Sequence, residues 1–166
     1  PLKDLAKESI FNIIEHSNKF KINLKNSNIL DLFSGVGSFG IECLSRGVKS
    51  VVFVENYDGV LPILKKNLSS LKSTENYEII EKNIIDSDIF SNLKKNFDVI
   101  FLDPPFKDKN LENLLKNIYD KKILNKNGII IIHRHKNEKD ILPKQYKIIE
   151  EKKYGISKII FFSILN

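Results

Sequence analysis

Asp31-Leu32-Phe33-Ser34-Gly35-Val36-Gly37-Ser38-Phe39-Gly40 is the stretch on which the reading of this chain turns. The apolar Ile29-Leu30 precedes it and Ile41-Glu42-Cys43-Leu44-Ser45-Arg46-Gly47 follows, so a buried strand feeds a turn and the turn feeds a helix. Glycine permits the sharp bends such a turn needs, and Gly35, Gly37 and Gly40 let the backbone approach a ligand closely. A carboxylate at the strand end, beside a helix N-terminus, makes a cofactor cradle. The G-x-G-x-x-G spacing alone is a weak signal. It becomes specific only together with Asp103-Pro104-Pro105-Phe106 further along the chain.

Outward from this turn the expected elements alternate. Residues 4–16 carry Leu5, Ile10, Phe11, Ile13 and Ile14 at helical spacing, with Asp4 as N-cap. Residues 19–27 are polar and turn-like. The first strand covers residues 29–33, and the first crossover helix covers 39–46 and ends at Gly47 in the C′ position. The β-branched run 50–55 is a buried parallel strand. Residues 58–71 form a helix whose Pro62 sits early, where a missing N–H is tolerated. A third strand is expected at 77–82, a short helix at 86–95, a fourth strand at 97–102 and a helix at 110–123. Asn127-Gly128 reads as a turn into a fifth strand at 129–133. After an irregular stretch at 136–142, two strands at 146–150 and 158–164 are joined through Tyr154-Gly155. Strands alternating with helices imply a parallel sheet covered on both faces. Two successive strands at the end imply an antiparallel hairpin on one edge.

The 166 residues are enough for one domain, with no repeat or linker to mark a boundary. A composition 42% hydrophobic and 29% charged is that of an ordinary globular protein. No apolar run approaches the roughly 20 residues that span a bilayer. The start, Pro1-Leu2-Lys3-Asp4, shows neither an initiator Met nor a signal-peptide pattern, and upstream residues are expected. The single cysteine, Cys43, excludes an internal disulfide and a zinc cluster; it is expected to be buried, in a reducing cytoplasm. The net charge of +6 and pI near 9.2 lean towards an anionic partner such as nucleic acid.

In open α/β sheets, ligands sit beyond the carboxyl ends of the strands. Asp31, Glu55 and Asp103 all fall at expected strand ends, as does the segment around Asn83. Glu55 lies 20 residues after Gly35. A carboxylate there can accept both ribose hydroxyls of a bound nucleoside, which serves NAD and S-adenosylmethionine alike. Asn83 or Asp86 is placed to touch the adenine. The Asp103-Pro104-Pro105-Phe106 loop separates the two cofactors. Proline offers a carbonyl and no N–H, so this loop accepts hydrogen bonds rather than donating them. An exocyclic amine has two N–H groups: Asp103 takes one, the Pro104 carbonyl the other, and the nitrogen lone pair is aligned with the methyl of a sulfonium cofactor. Phe106 stacks on the flat base, a contact worth about 1–3 kcal/mol in nucleic-acid binding. His133 and His135 end the fifth strand without the further ligands a metal needs. Contact with a substrate phosphate fits Arg134, His135 or Lys136 better.

These residues carry a resemblance. Asp103-Pro104-Pro105-Phe106 resembles the fourth motif, (Asp/Asn)-Pro-Pro-(Tyr/Phe), of amino-directed nucleic-acid methyltransferases. Asp31 to Glu42, Glu42-Cys43-Leu44-Ser45-Arg46-Gly47, Phe101 to Phe106 and Tyr154-Gly155 are similar to the bacterial family that methylates N2 of guanine 966 in 16S ribosomal RNA. Pro1 with Asp4, Glu8, Phe11 and Asn12 echoes that family's opening block. Lys7 stands where the family usually has Arg, and His133-Arg134-His135 where it more often has a Glu-His pair. The resemblance implies a Rossmann-like class I methyltransferase: a seven-stranded, mostly parallel sheet with an antiparallel last strand inserted beside the fifth and helices on both faces. It implies S-adenosyl-L-methionine as cofactor and 16S rRNA, within a small-subunit ribosomal particle, as partner. The expected catalytic residues are Asp103, Pro104, Pro105 and Phe106. The expected cofactor contacts are Asp31, Phe33, Ser34, Gly35, Gly37, Gly40, Glu55, Asn56, Asn83, Ile84 and Asp103. No metal or membrane is expected, and nothing requires more than a monomer in the cytoplasm. Three readings compete with it: an adenine-N6 methyltransferase, which the same tetrapeptide serves; a dinucleotide oxidoreductase, which leaves that tetrapeptide unused; and a non-catalytic RNA-binding or assembly module that keeps the fold.

Overall fold

The computed structural model describes residues 2–71, 75–84, 88–105 and 110–165. In chain order its elements are α1 (Asp4–His16), β1 (Asn28–Leu32), α2 (Ser38–Ser45), β2 (Ser50–Val54), α3 (Leu61–Ser69), β3 (Tyr77–Ile80), β4 (Phe97–Leu102), α4 (Leu111–Asp120), β5 (Leu124–His135), β6 (Tyr146–Tyr154) and β7 (Ser157–Ile164). Two 3₁₀ turns, Leu24–Asn26 and Ile89–Asn92, precede β1 and β4. The strands form one sheet in the order β3-β2-β1-β4-β5-β7-β6. β1 to β5 pair in parallel. β7 runs antiparallel between β5 and β6, the insertion that the resemblance implied. The strand order turns back between β1 and β4, which makes their carboxyl ends the switch point where such sheets bind ligands.

The apolar strands alternate their side chains between two cores. On one face Ile29, Val51, Phe53, Val99, Phe101 and Ile131 pack with Ile10, Phe11, Phe39, Cys43 and Leu64 of α1, α2 and α3. On the other, Leu30, Leu32, Val54, Ile100 and Ile132 pack with Leu111, Leu115 and Ile118 of α4. The inner strands β1, β2 and β4 are buried on both sides, which is why they read as predominantly apolar runs. Three rings form a column through the first core: Phe11 stacks on Phe39 at 5.2 Å, and Phe39 on Phe101 at 4.2 Å. Tyr146 ties β6 to α4 by donating to the Leu115 carbonyl at 2.6 Å, and burial pushes its hydroxyl pKa up.

Several boundaries differ from the sequence reading for local reasons. Lys3, not Asp4, is the N-cap of α1, and Asp4 is the first helical residue. α3 starts only at Leu61, because Pro62 takes the first turn and residues 58–60 form a turn before it. β3 stops at Ile80, and of the helix expected over 86–95 the described residues 88–95 form only the 3₁₀ turn Ile89–Asn92. β5 begins at Leu124 rather than 129. Asn127, at φ +65°, lies in a bulge inside the strand where its register with β4 shifts. Gly47, at φ +81°, ends α2 as expected. No helix among the described residues is long and apolar enough to cross a membrane.

Candidate active site

Asp31 is the hub of the switch point. Its side chain is 1% exposed, and Oδ2 accepts the Gly40 N–H at 3.1 Å. Gly40 is in the first turn of α2, whose N-cap, Gly37, has no side chain to bond the helix's orphan donors. The strand end therefore caps the helix, a task that usually falls to the N-cap residue. The close approach requires glycine: a Cβ on Gly40 would lie 2.3 Å from Cε1 of Phe53 and 2.9 Å from Oδ2 of Asp31. Gly37 is required twice over, by φ +88° and by a Cβ position 2.6 Å from Leu64. Burial raises the Asp31 carboxyl pKa well above its ordinary value. The Gly40 N–H opposes that rise, and the charges of Asp103 and Glu55 add to it.

The loop between β1 and α2 is stitched to β2. Ser34 Oγ donates to the Asp31 carbonyl at 2.6 Å and accepts the Val54 N–H at 3.1 Å. Gly35 N–H donates to Glu55 Oε1 at 2.8 Å, while Oε2 accepts the N–H groups of Asn56 and Tyr57, both at 3.1 Å. Three donors thus fix the Glu55 carboxylate at the lip of the site. The end of β5 holds the Asp-Pro-Pro loop. His133, 2% exposed, places Nδ1 2.8 Å from Asp103 Oδ1 and Nε2 3.0 Å from Ser157 Oγ. Arg134 Nη1 donates to the Pro105 carbonyl at 3.1 Å, and Nε and Nη2 bond the two oxygens of Asp140 at 2.8 Å each.

These groups surround a cleft of about 750 Å³. Asp31, Phe33, Ser34, Gly35, Glu55, Asn56, Asp103, Pro104 and Pro105 all line it, with Phe39, Phe101 and Tyr57 as apolar walls and His133 beside Asp103. Gly37 and Gly40, also expected to touch the cofactor, are not among the lining residues; their N–H groups bond the Ser34 carbonyl and Asp31 Oδ2. Asn83 is not among the lining residues. Ile84 is buried and lines a second cavity of about 440 Å³ that shares Phe33 with the first. Pro1, Asp86 and Phe106 lie outside the described residues. The phosphate contact expected of Arg134 is corrected by its position: 1% exposed and committed to Asp140 and Pro105, its guanidinium holds protein groups. Sequence reasoning missed the structural part played by His133 and Arg134. The available signal was a polar pair directly after Ile129-Ile130-Ile131-Ile132, where a buried strand end has to find partners for it.

The donor set tells cofactors apart. A dinucleotide pyrophosphate needs free loop amides and often a cation. Here the N–H groups of Gly35, Gly37 and Gly40 already serve Glu55, the Ser34 carbonyl and Asp31. Among the described lining residues the acidic groups are Glu55, Asp103 and the buried Asp31, whose pKa is raised, and there is neither Lys nor Arg. That field suits a ligand carrying positive charge. Among the described residues, no three His, Cys, Asp or Glu side chains are grouped to hold a metal ion.

A sheet of this order, with its last strand inserted antiparallel and its cleft at the β1–β4 switch point, is the fold of the class I methyltransferases, and the chain is an enzyme of that kind. The profile of the family described as Conserved hypothetical protein 95 matches residues 1–163, and the chain belongs to that family, which includes the ribosomal RNA small subunit methyltransferase D proteins. It is 35% identical over 157 residues to Ribosomal RNA small subunit methyltransferase D of Haemophilus influenzae, covering 94% of this chain and 78% of that one. With the protein of the same name from Buchnera aphidicola subsp. Baizongia pistaciae it shares 31% identity over 166 residues, covering 99% and 79%. A candidate methylase solved from Haemophilus influenzae superposes with a TM-score of 0.78 at 32% identity, over 98% of both chains.

Proposed function

We propose that this enzyme methylates the exocyclic N2 amine of a guanine in 16S ribosomal RNA, at position 966 by family resemblance, using S-adenosyl-L-methionine. The observation that carries the reading is the pair of acceptors that line the cleft where β4 ends. Asp103 and Pro104 present a carboxylate and a carbonyl where β4 ends, and the prolines at 104 and 105 contribute no N–H. A group that donates twice from one atom, as an aromatic amine does, fits such a pair. The names of the relatives supply the RNA; the pair supplies the amine.

Asp31, Glu55 and the loop of residues 33–37 would hold the cofactor, with Glu55 placed for ribose hydroxyls and the carboxylate field matching its cationic groups. When bound there, S-adenosylmethionine supplies an electrophilic methyl group. The chain's own residues do the rest by placement. Asp103 and the Pro104 carbonyl accept the two N–H groups of the amine and set its plane. The Asp103 carboxylate stabilises the positive charge that grows on nitrogen and receives the proton that nitrogen then sheds. The base must be turned out of any stack to enter. Phe106, next in sequence, would stack on the base. The enzyme works as a monomer in the cytoplasm, on RNA already assembled with ribosomal proteins.

The test is transfer of radiolabelled methyl from S-adenosylmethionine to small-subunit particles lacking the modification, followed by nucleoside analysis. N2-methylguanosine at one site is the expected result, and Asp103→Ala should abolish it while S-adenosylhomocysteine still binds. N6-methyladenosine would overturn the base assignment in favour of adenine. Transfer that survives Asp103→Ala would overturn the role of that carboxylate.

A further inference from the structure

We propose that His133 is a positioning residue for the acceptor amine: held by Ser157, it fixes one oxygen of Asp103 and so turns the other towards the cleft. This rests on the amine-methylation reading of the site and extends it to residues outside the Asp-Pro-Pro loop.

The hydrogen positions follow from chemistry. An ionised carboxylate only accepts, so at 2.8 Å from Asp103 Oδ1 the His133 Nδ1 carries the proton. In a neutral imidazole the other nitrogen then accepts, so the Ser157 hydroxyl donates to Nε2 across 3.0 Å. Both ring nitrogens are thereby used inside a site where the ring is 2% exposed, and one tautomer is selected. The Asp103 side chain needs such a hold. Its terminal torsion is broad, and an aspartate at the lip of a cleft otherwise swings between orientations. A single bond to Oδ1 removes that freedom and leaves the second oxygen for the substrate.

The topology explains where the hold comes from. Ser157 opens β7, the strand inserted antiparallel beside β5, and that insertion brings its hydroxyl to His133. Arg134 is the next residue of the same strand, and successive side chains of a strand point to opposite faces. One grips Asp103 and the other the Pro105 carbonyl, so the loop is held from both sides of the sheet.

The test compares His133→Asn, His133→Gln and His133→Leu in the full chain. An Asn amide N–H falls near the place of Nδ1 and can still reach Asp103; a Gln amide falls near that of Nε2 and cannot. With small-subunit particles as substrate, kcat should fall on the order of 10²-fold in the Gln and Leu variants and recover to within about tenfold of wild type in the Asn variant. The dissociation constant for S-adenosylhomocysteine should stay unchanged in all three. Nitrogen NMR of the free wild-type protein should show His133 protonated at Nδ1 and bare at Nε2. Equal kcat in the Asn and Gln variants, or the opposite tautomer, overturns the proposal even if the Leu variant does not fold. A wild type that transfers no methyl to RNA defeats the underlying reading, and this role with it. An active wild type with three fully active variants defeats this role alone.

Discussion

Asp31 offers a sharp test, because its two jobs can be separated by substitution. Asp31→Ala removes the acceptor for the Gly40 N–H, which leaves a buried donor in the first turn of α2 without a partner. Such a loss costs about 1–3 kcal/mol, in keeping with the roughly 0.5–2 kcal/mol lost with a helix cap. Asp31→Asn keeps an oxygen for that bond and removes only the charge. The pH dependence of wild type against this variant then isolates the buried carboxyl. In the folded chain burial holds its pKa well above the ordinary value; in the unfolded chain the ordinary value returns. Below the unfolded value both states keep the proton, and the wild type has its full stability. As pH rises from there through the folded value, the unfolded chain releases its proton first and stability is lost. The slope reaches at most about 1.36 kcal/mol per pH unit. The Asp31→Asn variant lacks this term and should gain on wild type steadily with rising pH. Urea midpoints measured for both from the acid side of the carboxylate range to neutrality would show it. Parallel curves, or a variant that loses ground as pH rises, would refute the argument.

Two further substitutions test the frame around the cleft. Gly40→Ala adds a Cβ 2.3 Å from the fully buried Phe53 ring. Overpacking of about 1–3 kcal/mol outweighs a helix-propensity gain of about 1 kcal/mol, so the urea midpoint should fall, and a variant as stable as wild type would show that the ring yields freely. Arg134→Met breaks a buried ion pair and should cost about 3–5 kcal/mol in denaturant titration. Arg134→Lys should restore little of it, because a lysine cannot bond both Asp140 oxygens and the Pro105 carbonyl together; full restoration would mean that charge alone suffices.

The framework was legible because β1, β2 and β4 are apolar runs interrupted at most by a single aspartate, Asp31 in β1 and Asp98 in β4. Ile29 to Leu32, Val51 to Val54 and Phe97 to Leu102 admit no other buried reading, and the strand-end carboxylates could be counted off from them. Errors gathered where two rules compete. Asn127-Gly128 has the dipeptide of a tight turn, yet pairing with β4 carries the strand through it and a bulge absorbs the difference. The cap on α2 and the clamp on Glu55 join residues 9 and 20 apart in the chain. They depend on how α2 and β2 dock, which local pattern does not contain. The His133–Ser157 and Arg134–Pro105 contacts need the placement of β7 and of the loop after β4, and so could be found only in three dimensions.

Charge is distributed unevenly, and this bears on how an RNA-modifying site would admit its substrate. The chain as a whole carries +6, yet the cleft gathers Asp31, Glu55 and Asp103 with neither Lys nor Arg among its described lining residues. Lysines gather elsewhere, as in the groove of Lys19, Lys21, Lys126 and Lys147 beside the amino-terminal end of β5. A polyanionic backbone is drawn to the molecule as a whole and repelled by the cleft. On the proposed function, phosphates therefore stay outside, and what enters is a flat, uncharged base that presents hydrogen-bond donors. The same carboxylates that would attract a cationic cofactor exclude the charged part of the substrate. On the proposed function, the field of the cleft excludes phosphates, and selection for the amine rests on the two acceptors where β4 ends.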